Sequence, residues 1–228
     1  MLQVVETYLL LFFIYSCLGW IMEVVGKLIE KKRFINRGFL IGPYCPIYGH
    51  GAILITLLLQ KYIDDPIALF IMGVVICSIL EYLTSYFMEK IFHARWWDYS
   101  RYKFNINGRI CLKTMIPFGL LGLFIMYASN PFFFSIIENI PENILSIICI
   151  VFTSIFIIDN IVSFNIISNV NVTSKKIKDN TEEITEEIAE EITEKVKKIL
   201  EKKSALYRRL VHAFPEMKMK IKEKIQRK

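Results

Sequence analysis

Apolar residues fall into five long blocks, roughly 4–29, 46–63, 66–92, 110–130 and 142–168, and then stop. A helix needs about 20 mostly apolar residues to cross the hydrocarbon core of a bilayer. Each block therefore predicts a spanning helix, the second being the shortest. Beyond residue 170 the pattern changes. Ile184, Ile188, Ile192, Val196 and Ile199 recur every three to four residues among glutamates and lysines, which predicts a helix with one narrow apolar stripe, suited to a partner helix. After Pro215, Met217, Ile221 and Ile225 alternate with Lys218, Lys220, Lys222 and Lys224, a basic amphipathic end suited to anionic lipid headgroups. The predicted fold is all-α: a polytopic membrane bundle of about five spans over 1–170, and a charged, amphipathic, cytoplasmic helical tail over 171–228.

Composition agrees with a membrane protein: 54% of residues are hydrophobic and the mean hydropathy is +0.42. The first block is too long for a secretory signal, carries Glu23 and lacks a basic leader, so it reads as a retained span. Short loops rich in Lys and Arg stay in the cytoplasm. The loop after block 1 holds Lys27, Lys31, Lys32, Arg33 and Arg37, and that after block 3 holds Lys90, Arg95, Arg101, Lys103 and Arg109. The loops after blocks 2 and 4 are acidic apart from Lys61. The expected topology puts the N-terminus outside, both basic loops and the tail inside, in the cell membrane. The tail carries 16 Lys/Arg against 11 Asp/Glu, so it supplies +5 of the formal +6. It has no aromatic interleaving or nucleic-acid-binding fold, so no nucleic-acid partner is expected. Five cysteines within spans or on the reducing side imply free thiols.

The two basic loops resemble each other. Asn36-Arg37-Gly38 precedes Pro46 by the interval that separates Asn107-Gly108-Arg109 from Pro117, and Gly49 and Gly119 follow the prolines. Glu23 and Glu81 lie in the helices that lead in. The expectation is a duplicated helical hairpin plus one further span, a kind of internal repeat found in transporters.

Intramembrane carboxylates cost roughly 2.5–3.5 kcal/mol on insertion scales, so they face the bundle interior. Glu23, Glu81 and Asp159 are the candidates here. Ser78, Glu81 and Ser85 share one helix face, as do Ser16, Gly19 and Glu23. Opposite them, the second basic loop interleaves aromatic residues with Arg95, Asp98, Asn105, Asn107 and Arg109. Arginine forks suit carboxylates or phosphates, so Glu23, Arg37, Glu81, Arg95, Asp98, Asn105, Asn107 and Arg109 form the candidate polar site. Asn36, Gly38, Gly42, Pro43, Cys45, Pro46, Tyr48 and Gly49 form an entrance loop to span 2. Glycine there permits unusual backbone and proline starts a helix. Irregular backbone at membrane depth is tolerated where it is buried or lines a wet cavity. No metal or cofactor is expected: the three histidines have no ligand spacing, and neither nucleotide-binding glycine motif occurs.

The runs Tyr15-Ser16-Cys17-Leu18-Gly19-Trp20, Asn36-Arg37-Gly38-Phe39-Leu40, Gly42-Pro43-Tyr44-Cys45-Pro46-Ile47-Tyr48-Gly49, Arg95-Trp96-Trp97-Asp98-Tyr99-Ser100 and Asn107-Gly108-Arg109-Ile110 carry a resemblance. Over about residues 10–125 the chain resembles the CmpB-like family of ABC-transporter permeases, multi-pass membrane proteins of bacteria. That resemblance implies transport and a cytoplasmic ATPase partner. Three functions stay open: a permease-like subunit, an enzyme or binder acting on a phosphate-bearing lipid or anionic small molecule, and a scaffold presenting its tail to partners.

Overall fold

The computed structural model describes residues 2–32, 34–179, 186–214 and 218–219. Eight α-helices carry almost all of it: α1 Leu2–Lys31, α2 Pro46–Leu59, α3 Pro66–Phe92, α4 Leu112–Phe124, α5 Asn130–Glu138, α6 Glu142–Asp179, α7 Glu186–Lys203 and α8 Ala205–Ala213. Four two-residue strands, β1 Ala94–Arg95, β2 Asn105–Ile106, β3 Ile110–Cys111 and β4 Lys218–Met219, pair as β1–β4 and β2–β3, both antiparallel.

Among the described residues, Leu2–Lys31, Pro66–Phe92, Leu112–Glu138 and Glu142–Ser168 are long and apolar enough to cross a membrane. The chain is an all-α, multi-pass membrane bundle. Helix α2 has 14 residues, about 21 Å at 1.5 Å per residue. A single 3₁₀ turn, Gln60–Tyr62, extends it before Asp65 caps α3 by accepting from the Ile67 and Ala68 amides at 3.1 and 3.0 Å. The fourth predicted block runs on to Glu138, because α4 and α5 join through a π-helical turn at Ile125–Ser129. That turn lies just before Pro131, whose ring crowds the preceding helical turn.

The hairpins α1–α2 and α3–α4 are the most extensively packed pairs. Each closes on small residues, which let helix backbones approach. A Cβ on Gly49 would lie 2.3 Å from Ser16 Oγ and 2.6 Å from the Phe12 carbonyl, and Gly73 packs with its site 3.7 Å from the Gly119 Cα. A buried polar chain ties the bundle across: Tyr15 donates to Asn130 Oδ1 at 2.7 Å, and Asn130 donates to Thr56 at 2.9 Å. Outer faces such as Ile71, Val75, Ile79 and Leu83 of α3 are exposed and apolar, as a lipid-facing surface must be.

A second core lies at the end of the bundle that carries both basic loops. Phe92, Trp96 and Ile167 pack there with Val196, Leu210, Val211 and Phe214 of the tail. Helix α6 runs unbroken past residue 170. Arg33, Ile184, Met217 and the alternating lysine segment from Lys220 on, which figure in the sequence expectations, lie outside the described residues, as do the side chains of Ile188 and Ile192.

Candidate functional site

Loop 1, residues 32–45, is held in place by polar contacts. Asp159 of α6 accepts from the amides of Ile41 (2.9 Å) and Gly42 (2.7 Å), from the Tyr44 hydroxyl (2.6 Å) and from Ser163 (2.9 Å). Burial, and after it this carboxylate, pushes the Tyr44 phenol upward. Trp20 Nε1 donates to Asn36 Oδ1 at 2.7 Å. From α8, Arg209 donates to the carbonyls of Leu40 (2.7 Å), Phe39 (3.1 Å) and Gly38 (3.4 Å). Gly38 has φ +117, a conformation that favours glycine. Loop 1 then passes into the bundle, where the Cys45 amide donates to Ser16 O at 2.8 Å, and Pro46 starts α2. Pro43 is exposed and Gly42 packs on the Tyr44 ring. Burial, with Glu23 nearby, pushes the Cys45 thiol up to about 12.

Loop 2, residues 93–111, is a small folded unit. Asn107 (φ 53), Gly108 (φ 66) and Arg109 connect β2 to β3. The Arg109 amide donates to the Ile106 carbonyl at 3.0 Å, closing a turn whose two central residues take the positive φ that Asn-Gly tolerates. Asp98 accepts from the Ser100 amide at 3.0 Å and from its hydroxyl at 2.5 Å. Asn105 accepts from the Gly108 amide at 2.9 Å, and Asn107 donates to the Tyr82 hydroxyl at 2.9 Å. Asp98, Asn105 and Asn107 thus shape the loop.

The charged candidates separate into two groups. Glu89 lies between two guanidinium groups, Arg95 Nε at 3.1 Å and Arg109 Nη2 at 3.0 Å. Arg95 also faces Asp98 at 3.5 Å. Arg109 donates to Ser85 at 3.1 Å and lies over the rings of Tyr82 and Tyr86. Glu23, in contrast, accepts from Tyr48 at 2.7 Å and pairs with Arg37 Nε at 3.4 Å. Arg37 also donates to the Ala213 carbonyl and lies 5.3 Å from the centre of the Phe214 ring. Glu81 accepts from Tyr99 at 3.2 Å, with Thr114 Oγ1 at 3.5 Å. Burial and Glu81 together push the Tyr99 phenol upward, so it remains a donor.

Glu23, Arg37 and Glu81 line one cavity of about 810 Å³. Its walls come from α2, α3, α4 and α6, with both loops at one end. Of the entrance loop, Gly38, Cys45, Pro46 and Tyr48 line it; Arg95, Asp98, Asn105, Asn107, Arg109 and Asp159 do not. Its lining is mostly apolar, with the charged groups at the loop end. Among the lining residues absent from the sequence-derived site are Tyr99, Asn160 and Phe214. Tyr99 read as an interface aromatic, and Asn160 was overshadowed by its neighbour Asp159. Phe214 gave no signal, because nothing in a sequence period says that a tail residue folds back onto the spans. The ring of His50 is bound to the Pro46 carbonyl at 2.8 Å and faces Phe12.

No curated protein and no solved structure shows a significant match to the chain. Residues 10–164 match the model of the CmpB-type family, described as "Putative ABC-transporter type IV". The match takes in α1 from residue 10, helices α2 to α5, both basic loops and most of the membrane part of α6, including Glu23, Glu81, Glu89 and their arginine partners. The chain therefore belongs to the CmpB-type ABC-transporter family.

Proposed function

We propose that the protein is a permease-like membrane subunit in which the cavity beside Glu23 and Glu81 receives the transported molecule. The observation that carries this reading is the cavity itself. It has about 810 Å³, within the range of small-molecule sites, and it combines apolar walls with a few convergent polar groups. The proposed orientation puts loops 1 and 2 and the tail in the cytoplasm. It rests on Lys31, Arg37, Arg95, Arg101 and Arg109 gathering at one end while Glu6, Asp64, Asp65 and Glu138 lie at the other. The cavity then opens near the inner leaflet. Residues 1–170 act as the membrane part and 171–228 as a cytoplasmic tail, whose helices α7 and α8, with the loops, offer a surface to an ATPase or other protein. Membrane lipid surrounds the spans, with anionic headgroups favoured by the basic loops.

The geometry favours transport over a phosphate-binding enzyme. Arg95 and Arg109 are committed to Glu89, and Arg37 is committed to Glu23 and the tail. The test places a single cysteine at Thr84, which lines the cavity, in a chain whose five native cysteines are replaced. Membrane-impermeant methanethiosulfonate reagents are applied to either face of oriented vesicles. The expected result is modification from the loop face at rest, and from the opposite face as well in energised vesicles. Modification from the loop face alone under every condition overturns transport and leaves a one-sided binder or enzyme.

A further inference from the structure

The cavity's charges do not balance. It is lined by two carboxylates, Glu23 and Glu81, and one guanidinium, Arg37. Arg37 is already paired with Glu23 and also bound to the Ala213 carbonyl and the Phe214 ring. Glu81 is 7% exposed, and its bonds come from uncharged hydroxyls, those of Tyr99 and Thr114. Among the described residues no cation pairs with it. A carboxylate in an apolar setting is costly without a counter-charge. The walls around it are also rich in aromatic rings, among them Tyr48, Phe92, Trp97, Tyr99, Phe118 and Phe164. Aromatic faces attract cations, most strongly where water is excluded.

We infer that the cavity takes a lipophilic organic monocation, with its charged centre beside Glu81 and its apolar body against the rings of α3, α4 and α6. This deepens the transport reading and rests on it, since it names the class of molecule carried. An anion is disfavoured because among the described residues no unpaired guanidinium or ammonium lines the cavity. An uncharged apolar molecule fits the walls but leaves Glu81 without a counter-charge.

The test uses two ions of nearly the same shape and opposite charge. Binding of tetraphenylphosphonium and of tetraphenylborate to the full chain, purified in dodecyl maltoside, is measured by equilibrium dialysis. Saturable binding of the phosphonium is expected, with the borate weaker by roughly tenfold or more. Glu81→Gln, which keeps the shape and the hydroxyl partners, is expected to weaken the phosphonium by a similar factor and to leave the borate unchanged. Ala52→Trp, which fills the wall of α2, is expected to abolish both. Equal affinity for the two ions, no saturable phosphonium binding, or unchanged binding in Glu81→Gln each overturns the inference. Competition by dodecylphosphocholine as strong as that by the phosphonium overturns it in favour of a zwitterionic lipid. The charge comparison on the unaltered protein stands even if Glu81→Gln fails to fold. Labelling of Thr84→Cys from two faces with an anionic sulfonate-bearing methanethiosulfonate involves no organic cation. Transport can therefore survive the loss of this inference, and a one-sided cation binder can survive the loss of transport.

Discussion

Replacing Glu89 by alanine removes the only carboxylate that pairs with Arg109 among the described contacts and one of two that face Arg95. The side chains of Glu89 and Arg109 are 5% and 9% exposed, so water does not replace the lost partner. Removing one member of a buried pair costs roughly 3–5 kcal/mol, because the other charge stays behind uncompensated. Arg95 is better solvated at 26% exposed and keeps Asp98, so most of the cost falls on Arg109. For a chain of this size each kcal/mol moves the midpoint of unfolding by about 2–4 °C, so the expected drop is roughly 6–20 °C. The assay is thermal unfolding of the detergent-purified protein, followed by tryptophan fluorescence. Glu30→Ala, which removes the exposed partner of Lys27, is the control and should leave the midpoint unchanged. Adding Arg109→Met to Glu89→Ala should recover most of the loss, since no buried charge is then left unpaired. A drop of less than about 2 °C in Glu89→Ala would refute a structural ion-pair network. Recovery of that variant by inorganic phosphate would instead return Arg109 to an anion-binding role.

At Gly49 a Cβ meets Ser16 Oγ at 2.3 Å and backbone of α1 at 2.6 Å, whereas Gly26 has open space around it. Gly49→Ala should therefore destabilise by roughly 1–3 kcal/mol through overpacking, while Gly26→Ala should be neutral or stabilise by up to about 1 kcal/mol; thermal midpoints of the two variants check this. Gly108→Ala combines a φ of +66 with a Cβ 2.4 Å from Ser100 Oγ and 2.6 Å from Asp98 Oδ1, and should loosen loop 2 enough for trypsin to cut after Arg101 or Lys103 faster than in the unaltered chain. The buried Cys45 thiol, raised from 9.0 to about 12, should resist iodoacetamide at pH 8 in the folded protein and react after unfolding, as mass spectrometry would report. Because its folded value lies above the unfolded one, this thiol leaves stability intact below pH 9 and erodes it as pH rises from 9 towards 12.

Four of the five predicted spans were legible because hydropathy alone selects them, whereas the second block forms only the 14-residue α2, which is not among the helices long enough to cross a membrane. The end of the fourth block was not legible. Asn130-Pro131 reads as a stop, yet the π turn absorbs the proline and the helix continues to Glu138. Loop 2 carried a hairpin signal in Asn107-Gly108, but its strands are two residues long and show no alternation to confirm it. The partner of the loop arginines was also hidden. Sequence spacing pointed them at Glu23 and Glu81, whereas Glu89, one helical position before Lys90, reads as an interface charge. Only the αL residue that ends α3, His93 with φ 49, turns loop 2 back so that Arg95 and Arg109 meet it. Asp159 could be placed inside the bundle from sequence. Its task of holding loop 1 could not, because its donors are two backbone amides and a tyrosine more than a hundred residues away.

The tail reaches the cavity wall, a contact that composition concealed. Its charge suggests a solvated appendage, and Lys197 and Glu194 do pair at its surface at 3.0 Å. Yet Val196 and Ala213 are fully buried, and Phe214 meets Trp96 edge to face at 4.7 Å between centroids. Arg209 satisfies three successive carbonyls of loop 1, groups that would otherwise be left without partners at the bundle surface. Burial pushes that guanidinium downward, with Asp159 acting against the shift, and its three hydrogen bonds hold the carbonyls and α8 together. Phe214 then completes the cavity wall next to Arg37. A molecule that contacts Phe214 is favoured or opposed by tail docking, and by linkage it favours or opposes that docking by the same free energy. The loops, the charged side chains and the tail therefore pack as one unit at one end of the bundle.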